Sequence, residues 1–332
     1  MRIAITCDVG YPQINGVVTT ITHTIANLKK LGHEVKLITP DLFKTYTWPG
    51  YPEDRMAFLC GPKLRPILKK FSPDALHIVT EGAIGFATRR YCREFGYHFT
   101  SAYLTRFPEY LKLRYDFPMT ISSTYLQWFH RRSARVMVAT ESLANELSMN
   151  GYRQLARWSR GVDTELFKPR DKNFITAPRP IFMFVGRVAV EKNIEAFLKL
   201  ELPGTKYIVG DGPSKVELQK NYPDAVFTGY QQGENLAKFL AAADVFVFPS
   251  RTDTFGLVAL EALASGVPVA AFPVPGPLDV ITDPQVGVLH TDLHTAAMAA
   301  LTFKADDCRE FASQFTWQKC TQQLVNNLVS MV

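Results

Sequence analysis

Short apolar runs alternate with helix-patterned stretches from one end of the chain to the other, and this alternation narrows the fold more than any other feature. In the first half, strands are expected at Arg2–Cys7, Glu34–Thr39, Ala75–Val79, His98–Leu104 and Arg135–Ala139. Helical periodicity fills the gaps at Val17–Leu31, Gly85–Phe95, Ile121–Arg132 and Leu143–Met149. The second half repeats the scheme, with strands at Ile181–Val185, Lys206–Val209, Ala225–Thr228, Val245–Phe248, Val267–Ala271 and Val286–Leu289. Strands separated by helices pair in parallel, and helices then cover both faces of the sheet. The expected class is α/β with two doubly wound domains, a number that suits 332 residues. Residues 1–165 form the first domain, the proline-rich stretch 166–180 a linker and 181–316 the second domain. An amphipathic helix at Trp317–Met331 packs back on the first.

In open parallel sheets, ligands bind beyond the carboxyl ends of the strands. In the first domain those ends carry Asp8–Gly16, Thr80–Gly82, Leu104–Arg106 and Thr140–Glu141. In the second they carry Gly186–Lys192, Gly210–Pro213, Gly229–Tyr230, Ser250–Gly256 and Phe272–Pro277. The richest of these follows the apolar run Val245–Pro249. A polar loop with Asp253 leads into a helix that starts near Phe255–Gly256 and is stopped by Gly266. Glu261 lies inside that helix, roughly 7–8 Å beyond its start at 1.5 Å per residue. Free N–H groups and the helix dipole make such a start a phosphate site. Carboxylates on either side suit hydroxyls, so the layout matches the hydroxyl–diphosphate–hydroxyl form of a nucleotide-sugar. The plainer alternative makes Asp253 a helix cap and Glu261 a solvated residue. Upstream, Gly186 is followed by Arg187 and Lys192 at the mouth of a helix expected over Asn193–Leu200, two cations suited to phosphate oxygens.

Several classes drop out. Nothing approaches the ~18–20 apolar residues of a membrane span, and Met1–Asp8 reads as a first strand rather than a signal peptide. Five scattered cysteines without CxxC spacing indicate neither a disulfide framework nor a zinc site. No Asp-x-Asp pair is present to hold a divalent metal. The loop Gly10–Gly16 lacks G-x-G-x-x-G, which argues against a dinucleotide dehydrogenase. Gly16 ahead of a helix admits either a phosphate or a simple turn. Net charge is uneven, +9 over residues 1–168 and −3 over 169–332. Without a nucleic-acid motif, the basic first half points to an anionic membrane surface rather than nucleic acid. The segment Leu64–Phe71 would place Ile67, Leu68 and Phe71 in the headgroups beside Lys63, Arg65, Lys69 and Lys70. Solubility alone is the competing explanation of the charge.

Together these motifs resemble the large family of retaining, GT-B-fold glycosyltransferases that includes bacterial mannosyl- and glucosyltransferases and sucrose-phosphate synthase. The resemblance implies two Rossmann-like domains facing across a cleft. It implies that Arg187 and Lys192 bind the donor diphosphate, that Asp253 meets the donor-sugar hydroxyls and that Glu261 meets the ribose. Gly186, Gly210 and Gly212, the stretch Thr254, Phe255, Gly256 and Leu257, and Gly16 would line the donor, with Tyr230 near the base. Thr80–Gly82, Thr105–Tyr110 and Trp158–Asp163 resemble a subgroup that includes bacterial enzymes glycosylating lipids. Two positions depart from the pattern: Asp253 stands where Glu is usual, and Leu104 where relatives often have His.

The expected activity is therefore retaining transfer of a hexosyl or uronosyl group from a UDP- or GDP-sugar, with no further cofactor and no metal. Arg106 is the cation available to a uronate. The acceptor is expected to be a membrane lipid or glycan, met by a cytoplasmic enzyme held peripherally at the inner face of a bacterial inner membrane. Two other classes are weighed. One is a GT-B-shaped partner subunit without catalysis, motivated by Leu104; the other is a sugar-nucleotide epimerase, which would need acid/base work from His77 or His290.

Overall fold

The computed structural model describes residues 1–10, 13, 15–48 and 51–332. Tyr11, Pro12 and Ile14, in the loop after the first strand, lie outside the described residues. The chain folds as two compact units. The first comprises Met1–Leu111, Phe117–Arg160 and Trp317–Val332; the second comprises Lys112–Asp116 and Gly161–Thr316.

The first unit runs β1 (Arg2–Thr6), α1 (Gly16–Lys30), β2 (Glu34–Ile38), β3 (Lys44–Trp48), β4 (Tyr51–Phe58), α2 (Gly61–Phe71), β5 (Ala75–Ile78) and α3 (Ala83–Phe95). It continues with β6 (Thr100–Tyr103), α4 (Phe107–Tyr115), α5 (Met119–His130), β7 (Arg135–Val138), α6 (Glu141–Met149) and β8 (Leu155–Arg157). Its sheet has the order β2-β1-β5-β6-β7-β8 with every pairing parallel. The chain reverses direction of growth at β1, so the loops after β1 and β5 flank the switch point where such sheets bind ligands. Asp8 occupies that place structurally. Its carboxylate accepts from Ile84 N at 2.6 Å, Gly85 N at 3.3 Å and Thr80 Oγ1 at 2.9 Å, closing the start of α3. Burial, only partly offset by those donors, pushes its carboxyl up to about 6.

The second unit runs β9 (Ile181–Val185), α7 (Ile194–Leu198), β10 (Thr205–Val209), α8 (Lys215–Asn221), β11 (Val226–Gly229), α9 (Gly233–Ala242) and β12 (Val245–Phe248). It ends with α10 (Leu257–Ala264), β13 (Val269–Ala271), α11 (Pro277–Val280), β14 (Gly287–Leu289), α12 (Leu293–Ala300) and α13 (Ala305–Ser313). Its sheet order is β11-β10-β9-β12-β13-β14, again parallel, with the switch point between β9 and β12. Every residue of β9 and of β12 is buried, as expected of central strands covered on both faces. Phe182, Phe184 and Phe197 are at most 1% exposed in one core with Ile194, Val245 and Val247. Burying each such ring contributes about 1.5–3 kcal/mol, which explains why the strands stand where apolar density is highest.

Residues 161–180, read above as including a linker, belong to the second unit. Arg309 holds the carbonyls of Thr164, Phe167 and Ala264, and Val162 N donates to Phe315 O at 2.9 Å. The last helix, α14 (Trp317–Asn327), belongs to the first unit, where Trp317 stacks on His23 of α1 at 4.7 Å. It ends four residues earlier than its amphipathic pattern suggests; Met331 instead bonds by its backbone to Asp74 and His98.

Other differences have local causes. The antiparallel hairpin β3–β4 carries Glu53-Asp54-Arg55, a charge run that looks like a loop. The helix α2 contains Pro62 in its first turn, where a missing N–H is tolerated, and Pro66 inside. Its Leu64 and Leu68 are fully buried. Leu68 is therefore core and not a residue free to enter headgroups, while Ile67 and Phe71 pack half-buried against the same cluster. The helix expected over Asn193–Leu200 is a 3-10 turn at Val190–Lys192, a left-handed Asn193 at φ +53°, and only then the five-residue α7. Asn tolerates that conformation better than most residues, and its Nδ2 donates to Pro249 O at 3.0 Å, tying the loop after β9 to the loop after β12.

Candidate active site

The two loops that carry the predicted donor residues meet at the switch point of the second unit. Lys192 Nζ lies 2.6 Å from Asp253 Oδ1, across 61 residues of sequence, and both side chains are less than a fifth exposed. Ser250 Oγ and Thr252 Oγ1 reach the carbonyl of Glu191 at 3.4 and 3.1 Å, stitching the same loops together. Asp253 therefore does not cap the helix; it pairs with a cation. Its other oxygen, Oδ2, is buried and makes no hydrogen bond among the described residues. A buried carboxylate oxygen left without a donor is costly and suits a hydroxyl that arrives with a ligand.

Helix α10 begins directly beyond. Gly256 precedes it at φ +90° and offers no side-chain cap, and no acidic residue lies in its first turn. Ala259 N donates to Gly256 O at 2.9 Å, and the N–H groups ahead of it, with the helix dipole, suit an anion. Thr254 and Leu257 are half-buried beside it, and Phe255 is buried. Glu261 sits in the second turn. Removal from water, with no compensating charge or hydrogen bond among the described residues, pushes its carboxyl up to about 7. It is not a solvated helical residue. A Glu whose folded value exceeds its ordinary 4.5 burdens the fold when ionised. We therefore expect Glu261→Gln to stabilise the protein by on the order of 1–2 kcal/mol above about pH 7, allowing for partial solvent access, with the gain fading towards about pH 5. Urea midpoints across that range test it; a gain that grows on acidification would contradict the assignment.

Arg187 is half-buried in the same loop as Lys192. Glu191, between them, is fully withdrawn: its carboxylate is held by Arg114 of the 112–116 segment, which is part of this unit. That pairing keeps an anion away from the two cations, and nothing in the local sequence announces it. Gly186 lies at the end of β9, and the loop Gly210–Gly212 packs onto it. A Cβ on Gly210 would stand 1.9 Å from Gly186 O, and one on Gly212 would stand 2.4 Å from Val188 O. These glycines are demanded by backbone against backbone. Tyr230, past β11 at the sheet edge, keeps an exposed ring.

Other predicted positions fall elsewhere. Gly16 opens α1 in the first unit, where Asn15 Oδ1 already accepts from Val17 N and Val18 N at 3.0 Å each. Arg106 is buried and takes up Glu146 at 2.5 Å and Glu109 at 3.0 Å, so it is not an open cation for a uronate. His77 is fully buried, bonded to Thr100 Oγ1 at 2.9 Å, and burial pushes its imidazole down to about 3. It cannot serve as an exchangeable acid at a sugar. His290 Nδ1 is engaged by Asp292 N at 3.0 Å in a turn. Leu104 is buried. Among the described residues no group of three or more His, Cys, Asp or Glu is placed to hold a metal ion.

Comparison with known proteins bears on the family and the fold. Residues 14–166 match the family model described as Glycosyltransferase Family 4, and residues 179–305 the one described as Glycosyl transferases group 1. A GDP-mannose-dependent alpha-mannosyltransferase of Mycobacterium tuberculosis is 32% identical over 317 residues, covering 87% of this chain and 83% of the relative. An alpha-monoglucosyldiacylglycerol synthase of Streptococcus pneumoniae is 27% identical over 91% of this chain and 78% of its own. Among solved structures, sucrose-phosphate synthase from Thermosynechococcus elongatus superposes with a TM-score of 0.82 at 20% identity, covering 98% of this chain and 97% of that one.

Proposed function

The chain belongs to the group 1 glycosyltransferases of GT-B fold, and we propose that it is a retaining transferase moving a hexosyl group from a nucleotide-diphosphate sugar to a membrane lipid or lipid-linked glycan. The observation that carries the donor reading is the meeting of Lys192 and Asp253 beside the uncapped start of α10. Arg187, Lys192 and that helix start neutralise the diphosphate. The undonated Oδ2 of Asp253 accepts a hydroxyl of the sugar, Glu261 accepts the ribose hydroxyls, and Tyr230 offers its ring to the base. The bond from the anomeric carbon to the β-phosphate oxygen breaks as the acceptor oxygen bonds to that carbon from the same face. The acceptor proton passes to the leaving phosphate. Charge growing on the nucleoside diphosphate is the main electrostatic demand, and the two cations and helix dipole meet it in the role a divalent metal fills elsewhere.

The acceptor reading draws on the basic first half and on the relative whose name specifies a glucosyldiacylglycerol. With Arg106 occupied, a neutral hexose is favoured over a uronate. The relatives whose names specify GDP-mannose put that donor first in the assay. Incubating the protein with a panel of UDP- and GDP-sugars and a bacterial lipid extract should yield one glycosylated lipid by mass spectrometry. Magnetic resonance should then show its anomeric configuration to be that of the donor. Inversion would overturn the retaining mechanism. Donor binding without transfer to any acceptor would identify a partner subunit instead, and an epimerised donor formed without acceptor would identify an epimerase.

A further inference from the structure

The first unit carries a basic face that the donor chemistry does not use. On α3, Phe86, Arg89, Arg90 and Arg93 fall at helical spacing along one side. Arg89 lies inward: its guanidinium stacks 3.7 Å from the Trp128 ring, and it donates to the carbonyls of Phe129 and Trp128 at 2.9 and 3.0 Å, at the end of α5. Phe86, 43% exposed, stacks on the same Trp128 ring with 6.1 Å between centroids. Arg131 and Arg132 follow α5 directly and are exposed, as are Arg90 and Arg93. The positive field of Arg93, Arg132 and Arg131 adds to burial in drawing the Arg89 guanidinium down, which places these groups close together.

On these two helices carboxylates do not answer this charge, and Glu81, ahead of α3, is taken up by His130 Nε2 at 3.0 Å. Helix α5 contains no acidic residue, and the only one on α3, Glu94, is held by Arg65 at 2.8 Å. Arg90, Arg93, Arg131 and Arg132 form no ion pair among the described residues. Complementing the α5 dipole would account for one cation at a helix end, not for four converging from two helices. The surface is cationic, locally unneutralised and crowned by an exposed aromatic ring, which fits a sheet of phosphates over hydrocarbon.

We propose that the face formed by α3 and the end of α5, with Arg90, Arg93, Arg131 and Arg132 around Phe86, docks this protein on the anionic leaflet of a bilayer. The inference rests on the lipid-acceptor reading and names the surface through which that acceptor is reached. It also moves the contact away from α2, whose Leu68 is core and whose Arg65 is paired.

Flotation with vesicles of phosphatidylcholine alone and of phosphatidylcholine mixed with phosphatidylglycerol tests it. The wild-type protein should float only with the mixture and release in high salt. Changing all four arginines to serine should weaken partitioning about a hundredfold or more at low salt, since each cation near an anionic surface is worth roughly a fivefold change. Phe86→Ser should weaken it further, and Lys63→Ser with Lys70→Ser much less. An unchanged melting temperature and unchanged transfer in detergent would show that the arginine variant is folded. Flotation of that variant like wild type, equal binding of wild type to neutral vesicles, or tighter binding to duplex DNA than to the mixed vesicles would overturn the proposal. Lipid product with arginine-independent flotation sinks the surface and leaves the acceptor reading standing. Arginine-dependent flotation without any lipid product does the reverse.

Discussion

Lys192→Ala is expected to lower sugar transfer by about 10²–10³-fold, the range for removing one preorganised charge or donor from a developing anion. Lys192 is suited to this because it is already in place. Its ammonium is fixed on Asp253 at 2.6 Å in a loop stitched to its neighbour by Asn193, Ser250 and Thr252, so little reordering accompanies donor binding. When the diphosphate arrives, the ammonium can bridge to it while Asp253 turns its free oxygen to a hydroxyl. The variant also strips Asp253 of its cation, so that Oδ1 joins the already undonated, buried Oδ2 in having no donor among the described residues. That costs about 1–3 kcal/mol of stability, a modest change in a domain of this size. Saturating-donor kinetics beside thermal melts separate the two effects. Transfer within a few-fold of wild type would remove Lys192 from the mechanism, and collapse of the melt would make the pair structural.

The contrast between these two residues also shows where the sequence stops being informative. The strands Ile181–Val185 and Val245–Phe248 are legible because burial on both faces demands continuous apolar runs, and the start of α10 because a glycine and a helical apolar stripe bracket it. Residue type and spacing therefore single out Arg187, Lys192, Asp253 and Glu261 as the proposed donor contacts, and the structure brings Lys192 and Asp253 together. Pairings do not follow from spacing. Lys192 meets Asp253 across 61 residues, Arg114 meets Glu191 across 77 and Arg106 meets Glu146 across 40. Each decides a charge at or near a site, and none leaves a local trace. Hence Arg106 looks like an available cation until Glu146 and Glu109 are placed around it. Leu68 fails for a related reason: beside Lys69 and Lys70 it looks amphipathic, but its side of α2 faces the core. Local conformation also misleads where one residue resists its neighbours, as left-handed Asn193 does in splitting an apparently continuous helix.

Gly210→Ala should be among the most destabilising single substitutions in the second unit, by about 2–5 kcal/mol. Its φ of +151° is one that L side chains rarely adopt, and its Cβ would stand 1.9 Å from the carbonyl oxygen of Gly186. That oxygen has nowhere to go. Gly186 N bonds to Val209 O at 3.0 Å, Val188 N to Asp211 O at 2.8 Å and Gly210 N to Gly229 O at 2.9 Å, so the ends of β9, β10 and β11 are fastened together. Relief of the clash breaks one or two of these bonds, about 1 kcal/mol each, on top of roughly 1–3 kcal/mol of backbone strain. Gly32→Ala provides the control: φ is positive there too, at +79°, but nothing stands within 4 Å of the added carbon, so only strain remains. At about 2–4 °C per kcal/mol for a unit of this size, the Gly210 variant should melt on the order of 10 °C lower than wild type. Because the same loop packs on the one that carries Arg187, donor affinity should fall with it. A variant that melts like wild type yet loses donor affinity would show that the turn is glycine for the ligand's sake; the close approach of the two backbones argues that it is glycine for the fold's.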